Sequence, residues 1–554
     1  MKKLISLLLV LSLVVGVLAG CAQEPATTTG GKENDPQKTT TAAATTTEAD
    51  SNFNPTGYPI VDEKVTITMA VGSNVADPNQ MSFIKYMEEL TNVHIEWTTI
   101  PTEEITDRLT LIWAGDEYPD AVLGGQCGLP DPAAELYEDG VILPWNDLID
   151  QYMPNFKEYC SDYFANIMYP DGNIYVMPRI SGYYYKNNNQ GVVINTKWLE
   201  NVGMEMPTTI DEFTEVLRAF KEKDANGNGD PNDEIPYSTR LGDWADAFTM
   251  ISGAFGIPLS KSPLVIDGEV VDPLVEESQI EAVKYLAMLY KEGLIDAEIF
   301  TQDVNSYTAK CKETPTRVGV SSTWRRGASY GDEVGKAEYD TVAPLAGSTG
   351  HKGWAAAYTN VSVENVMYLT SSCENPEIIA RWVDTLYDPL HSYLAGYGAL
   401  NESVFMAEDG KQFYRVEPAP EGYDTLAAYV SAAHLQHTPQ LWNTARTDEW
   451  IYKDPNAAPA WQDNPEMEAV YVADPSTMFR RFPSGKFFTA EEQGEMDLLK
   501  GDIQKYQEET FCRWICGQGD VEAEWDAYIA GLEGMNHERY LEIYQEVWDR
   551  LGLE

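Results

Sequence analysis

The sequence predicts an α/β protein built as two lobes, and three observations carry that expectation. The first is an early alternation of strand and helix. Lys64–Val71 alternates apolar and polar residues as a half-buried strand does. Met81, Phe83, Ile84, Met87 and Leu90 then recur at mostly three- and four-residue spacing, the period of a helix. Val93–Trp97 reads as a second strand, Glu103–Ala114 as a second helix, and Tyr118–Leu123 as a third strand behind a turn. This is the rhythm of a doubly wound lobe, whose ligands collect at the carboxyl ends of the strands. It points to the loops after Val71 and after Leu123. The second observation is a fresh start near Gly191, where Val192–Asn195 reads as a strand and Thr196–Glu200 opens a helix. Pro207–Phe213 follows with threonine ahead of Asp211 and Glu212, a capping-type start to an amphipathic helix through Phe220. The third is size: roughly 500 residues follow the N-terminal segment, more than one core normally supports. Helices are also expected at 276–291 and 375–386, and from Trp525 to Leu551. No solenoid-type repeat is present.

The N-terminus reads as a processing signal followed by a tether. Lys2 and Lys3 precede an uncharged apolar stretch, Leu4–Ala19, too short to be a comfortable membrane span but suited to a signal. Leu18-Ala19-Gly20-Cys21 resembles the bacterial lipobox, which implies cleavage of residues 1–20 and a lipid on Cys21. Acyl chains at one residue hold a soluble domain on a membrane, each buried methylene adding about 0.8 kcal/mol. Residues 21–57 are rich in Thr, Ala and Gly, with Phe53 the one aromatic. Such a segment cannot offset its ordering entropy and is expected to be a flexible tether.

Composition excludes several partners. The formal charge is −50, a field that repels nucleic acid and anionic membrane surfaces. Beyond Cys21, the six cysteines are widely spaced and form no CxxC pair, so no zinc ribbon or redox motif is present. There is no His-Glu-x-x-His and no Gly-x-Ser-x-Gly. His434 and His437 stand three apart on an expected helix and read as packed or solvated side chains. Catalysis is not indicated, and the chain reads as a binding protein rather than an enzyme.

Several passages carry a family resemblance. They are Met177-Pro-Arg179, Val192–Leu199, Gly203, Pro207–Phe213 and Ala219-Phe220, and near the end Trp525–Tyr528, Tyr540–Tyr544 and Trp548–Arg550. Together they resemble extracellular solute-binding proteins, more narrowly the large lipoproteins of carbohydrate-type ABC importers in Gram-positive bacteria. They are also similar to alginate-oligosaccharide receptors. The resemblance implies a type II periplasmic-binding-protein-like fold, two α/β lobes joined by hinge crossings. Lobe one is expected over about 58–185 and 355–430, lobe two over about 186–354 and 431–554. It further implies an oligosaccharide ligand in the interlobe cleft and an ABC permease as partner. A monomer at the outer face of the cell membrane is expected. A receptor for peptide or another polar solute is the alternative, and an exported glycoside hydrolase a more distant one.

The sharpest local signal is Asp224-Ala-Asn226-Gly-Asn228-Gly-Asp230-Pro-Asn232-Asp233-Glu234. Oxygen side chains at alternate positions, spaced by glycines, suit a loop wrapped around a hard cation such as calcium. Ile235 stands where an EF-hand loop has its bidentate glutamate. The competing reading is a solvated polar turn. In the resembled family this loop holds a structural calcium ion, which implies Asp224, Asn226, Asn228, Asp233 and Glu234 as side-chain ligands and Asp230 through its carbonyl. The choice among Asn232, Asp233 and Glu234 stays open.

Sugar sites pair aromatic platforms with polar groups. On that ground the ligand-binding candidates are Tyr184, Asp243, Trp244, Trp324, Arg325 and Trp354.

Overall fold

Val65–Gly72 forms β1 in the computed structural model, buries Ile67, Met69, Ala70 and Val71, and anchors a six-stranded sheet. The structure describes residues 52–553 except 116, 183–190, 240–243, 324–325, 357–360, 416–419, 424–425, 443–448, 452–462 and 484. Helix Ser82–Thr91 follows with Phe83, Ile84 and Met87 on its buried face. It stops at Asn92, whose left-handed backbone (φ 59°) turns the chain into β2 (Val93–Ile100). Helix Ile105–Trp113 leads to β3 (Ala121–Leu123), and β4 spans Val176–Gly182.

The second lobe opens with β5 (Gly191–Asn195) and continues through β6 (Ile235–Ser238), β7 (Leu264–Ile266), β8 (Glu269–Val271), β9 (Val318–Thr323), β10 (Tyr339–Thr341) and β11 (Trp354–Ala356). The chain then returns to the first sheet as β12 (Val361–Leu369). A small pair, β13 (Val404–Met406) and β14 (Phe413–Arg415), precedes β15 (Gln440–Trp442), and β16 is Met478–Arg481.

The large sheet runs β15-β4-β12-β3-β1-β2. β1 is parallel to β2 and β3, β12 is antiparallel to β3 and β4, and β15 is parallel to β4. The second lobe holds two four-stranded sheets, β10-β5-β9-β6 and β11-β16-β7-β8.

Each lobe has its own large core, because each sheet must cover its apolar faces with its own helices. In the second, helix Ile210–Glu222 buries Ile210, Phe213, Val216, Leu217 and Phe220, each worth about 1.5–3 kcal/mol. Thr209 caps it, and Glu212 closes the capping box that the sequence foretold. The three C-terminal helices, Ala490–Ile515, Val521–Gly534 and His537–Leu551, seal this core with Trp514, Trp525, Tyr528, Tyr540 and Trp548.

Two expected boundaries need correction. Residues 52–57, assigned by composition to the tether, belong to the domain. The Phe53 ring stands 5.5 Å from Tyr152, and Arg381 donates to the Gly57 carbonyl at 2.6 Å. The return to the second lobe falls after Trp442 rather than near 430, because β15 pairs with β4 in the first sheet. The helix expected to carry His434 and His437 ends at Ala433, so both lie in the segment leading to β15. Among the described residues no helix is long and apolar enough to cross a membrane.

Candidate functional site

β1, β3, β4 and β15 all point their carboxyl ends to one side of the first sheet, where the loops after Val71 and Leu123 meet. Gln126 ties these loops together by accepting from the Asn74 backbone N–H at 2.8 Å. Gly125 exchanges two backbone hydrogen bonds with His437, at 2.9 and 2.7 Å. Its φ of +72° and the 2.4 Å that would separate a Cβ from Val71 Cγ2 leave glycine as the one residue that fits.

That pairing sets His437 beside Glu364 of β12, with Nδ1 2.8 Å from Oε1. Arg179 of β4, the register partner of Glu364, donates from Nη1 to Oε2 at 3.2 Å. The guanidinium lies over the Trp442 ring at 4.8 Å from its centroid. Burial by itself raises the Glu364 carboxyl pKa, but His437 and Arg179 outweigh it and hold the group below the ordinary glutamate value. Glu364 is therefore a carboxylate at neutral pH. Neighbouring His434 is wholly buried, and desolvation pushes its imidazole down to about 4, so it is neutral.

In the second lobe β6 and β9 are parallel, with Ser238 opposite Ser321, so both strands end on one side. Gln302 donates to Ser238 Oγ at 3.0 Å there, while the buried Thr239 hydroxyl has no partner among the described residues. The lobes also touch directly, where Lys486 pairs with Asp131.

The acidic loop lies between helix Ile210–Glu222 and β6, at the opposite end of β6 from Thr239. Gly227 and Gly229 take positive φ, 75° and 94°, and fold the loop back on itself. Asn226 and Asn228 both donate to Asp233, at 3.0 and 2.8 Å, and Asp224 accepts from the Gly229 N–H at 2.9 Å. Asn201 holds the Ala225 carbonyl at 2.8 Å, and Arg317 the Asp233 carbonyl at 2.8 Å. Two carboxylate oxygens, Asp224 Oδ1 and Glu234 Oε2, are buried without a hydrogen-bond partner among the described residues. Burial, with the Asp233 charge adding, raises the Glu234 pKa. Among the described residues no three His, Cys, Asp or Glu side chains converge as a metal cluster. The oxygen set here is instead mixed, carboxylate and amide. Two orphaned carboxylate oxygens in an all-oxygen loop fit a hard cation.

Residues 73–389 match the family described as bacterial extracellular solute-binding protein, more than half of the chain. The chain belongs to that family. This solute-binding protein is 30% identical over 509 residues to the fructooligosaccharide ABC transporter substrate-binding protein FusA of Streptococcus pneumoniae, covering 89% of this chain and 91% of FusA. Solved structures of FusA, one an EF-hand mutant with fructo-nystose and one a complex with kestose, superpose with a TM-score of 0.77 at 28% and 29% identity. Each comparison covers 88% of this chain and 99% of that one. The alginate-binding protein AlgQ2, solved without calcium ion, shares the fold at a TM-score of 0.71 and 22% identity, over 89% of this chain and 100% of that one. The fold is accordingly the type II-like α/β fold of solute-binding proteins.

The residues singled out from sequence fall unevenly on this solute-binding protein. Tyr184, Asp243, Trp324 and Arg325 lie outside the described residues, as does Cys21. Trp244 opens helix Trp244–Ser252, and its side chain is likewise not described. Of their described flanks, Thr239 follows β6 and Thr323 ends the neighbouring strand β9. Trp354, expected to face a ligand, is instead a core residue. It is 3% exposed in β11, 5.2 Å from the Tyr471 ring, because β11 is covered by the second core. Arg326, next to Arg325, turns inward and donates to the Tyr339 carbonyl at 3.1 Å. Asp224, Asn226, Asn228, Asp230, Asp233 and Glu234 come together in one loop. Sequence reasoning did not assemble the cluster that Arg179, Glu364 and His437 form around Trp442. Arg179, Glu364 and the segment 437–442 are far apart in the chain, and no local pattern joins them.

Proposed function

We propose that this protein is the substrate-binding lipoprotein of an ABC importer, capturing an oligosaccharide between its lobes and delivering it to a membrane permease. The observation that carries this reading is the match to FusA, which spans nearly the whole of both chains. The polar cluster at the carboxyl side of the first sheet supports it, since sugar hydroxyls need both donors and acceptors. Closure of the lobes is stabilised only as far as the ligand prefers the closed form. The protein binds its glycan without cleaving it.

In the same reading the acidic loop holds a calcium ion through Asp224, Asn226, Asn228, Asp233 and Glu234, with the Asp230 carbonyl. The ion would supply fixed positive charge to an acidic turn and keep β6 in place. Because β6 separates the loop from the β6–β9 carboxyl ends, the ion's role is structural rather than ligand-contacting. Cys21 carries the lipid anchor, and residues 22–51 tether the monomeric domain to the outer face of a Gram-positive membrane. Replacing Cys21 with Ala would then release the protein into the medium.

The decisive experiment is a thermal-shift screen of residues 22–554 against fructans and other glycans, with peptides as the contrast set. A ligand at one hundred times its Kd adds about 2.7 kcal/mol. A shift with one glycan class, recovered intact, supports the reading. Cleaved glycan would make the protein a hydrolase, and a response to peptides alone would replace the cargo.

A further inference from the structure

The geometry points to His437 as a solute-contacting residue of the first lobe, one that accepts a hydrogen bond from a ligand hydroxyl through Nε2. This assignment rests on the oligosaccharide reading above and specifies which chemical group of the sugar the residue recognises.

Three features converge on it. Position is the first: His437 stands at the carboxyl side of the parallel strands, fastened by two backbone bonds to Gly125, two residues beyond β3. That is where open α/β sheets place their ligands. The second is accessibility. A quarter of the His437 side chain is exposed, and Nε2 makes no hydrogen bond among the described residues. Buried His434, three residues earlier, is 0% exposed and offers a ligand nothing.

The third feature is the tautomer. Nδ1 stands 2.8 Å from Glu364 Oε1, and a carboxylate can only accept, so Nδ1 carries the proton. In the neutral ring Nε2 is then a bare acceptor. Glu364 is itself held in place by Arg179 on Oε2 at 3.2 Å, and Gly128 leaves room for its carboxylate, since a Cβ there would come within 2.7 Å of Oε1. Arg179 in turn rests on Trp442, 4.8 Å from the ring centroid. Trp442, Arg179 and Glu364 are thus positioning residues for one imidazole nitrogen. A bare acceptor recognises a hydroxyl donor, which every sugar supplies. It is unmatched by a carboxylate or a carbonyl oxygen, the groups at a peptide's C-terminal end.

The test is nitrogen-15 NMR of the full chain labelled at histidine, with and without kestose, together with calorimetric titration of kestose into wild type, His437→Phe and Glu364→Gln. The expected result is an Nδ1-protonated His437 whose Nε2 resonance moves on binding. Affinity should fall about tenfold in His437→Phe and by less in Glu364→Gln. An Nε2-protonated ring, or an Nε2 resonance unmoved by bound kestose, would overturn the assignment even if His437→Phe failed to fold. Equal kestose affinity in wild type and a folded His437→Phe would also remove His437 from the site, while leaving the receptor reading intact. If wild type binds neither kestose nor any other glycan of the screen, the receptor reading falls first and this assignment falls with it.

Discussion

His537 Nε2 stands 2.7 Å from Asp272 Oδ2, a contact between residues 265 apart in which both side chains are about nine-tenths buried. Gln507 donates to the same oxygen at 2.6 Å, and Asp272 Oδ1 accepts from the Leu274 N–H at 2.9 Å. One carboxylate therefore fastens two C-terminal helices, Ala490–Ile515 and His537–Leu551, to the turn ahead of helix Ser278–Lys291. Asp272→Ala should cost about 3–5 kcal/mol, since it leaves buried donors unpaired. Asp272→Asn should cost less. Urea unfolding of the two variants measures this, and equal midpoints for Asp272→Ala and wild type would show that the junction is held by packing alone.

Calcium removal offers a second test. If the loop from Asp224 to Glu234 binds the ion, chelation should lower the melting temperature, and excess calcium should restore it. Asp233→Ala should abolish the difference, because Asp233 organises both Asn226 and Asn228. Ligand affinity should change less than stability, given that β6 separates the loop from Thr239. A melting curve indifferent to chelator would reduce the segment to a polar turn.

Trp244 and Trp324 provide a third. In sequence Trp244 comes six residues after β6 and Trp324 directly after β9, two parallel strands. Replacing either with Ala should weaken oligosaccharide binding by about 1–2 kcal/mol while leaving the melting temperature within a few degrees. Calorimetry reads the first effect and calorimetric melting the second. Unchanged affinity in both variants would move the aromatic platform elsewhere.

Asp384 gives a pH prediction. It is wholly buried, and desolvation is the main cause that raises its carboxyl pKa to about 7, against the Phe156 N–H and Arg381, which lower it. Oδ1 accepts from that N–H at 2.9 Å, while Oδ2 has no partner among the described residues. An unfolded aspartate titrates near about 3.9. Unfolding between these values releases a proton, so this residue makes stability fall as pH rises from about 4 to 7 and level off above. Asp384→Asn should flatten that slope and exceed wild type at pH 8 by on the order of 4 kcal/mol, about three pKa units at about 1.36 kcal/mol each. Parallel stability–pH curves for the two proteins would show that Asp384 is ionised at little cost.

The first lobe's early elements were legible because each is local. The periodicity from Lys64 to Leu123 foretold β1 to β3 and both helices between them, and Thr209 with Glu212 announced a helix start found as a capping box. Trp354 was misjudged because an aromatic beside glycine reads alike in a loop or a strand. Only its place in β11, under Tyr471, buries it. His437 was read as a helical residue of no consequence, yet its role depends on Glu364, 73 positions away.

By itself the sequence determined the α/β class, the acidic character, the oxygen-rich loop and the kinship with solute-binding proteins. Each of these lies in composition or in residues adjacent along the chain. The tertiary structure alone decided that β15 belongs to the first sheet and that Phe53 is part of the domain. It alone also set Arg179, Glu364 and His437 in one row. The physical reason is that backbone propensity and hydrophobic period act over a few residues. Sheet order, by contrast, is settled by which strands bury their faces against one another, and it is sheet order that brings distant polar side chains within hydrogen-bond reach.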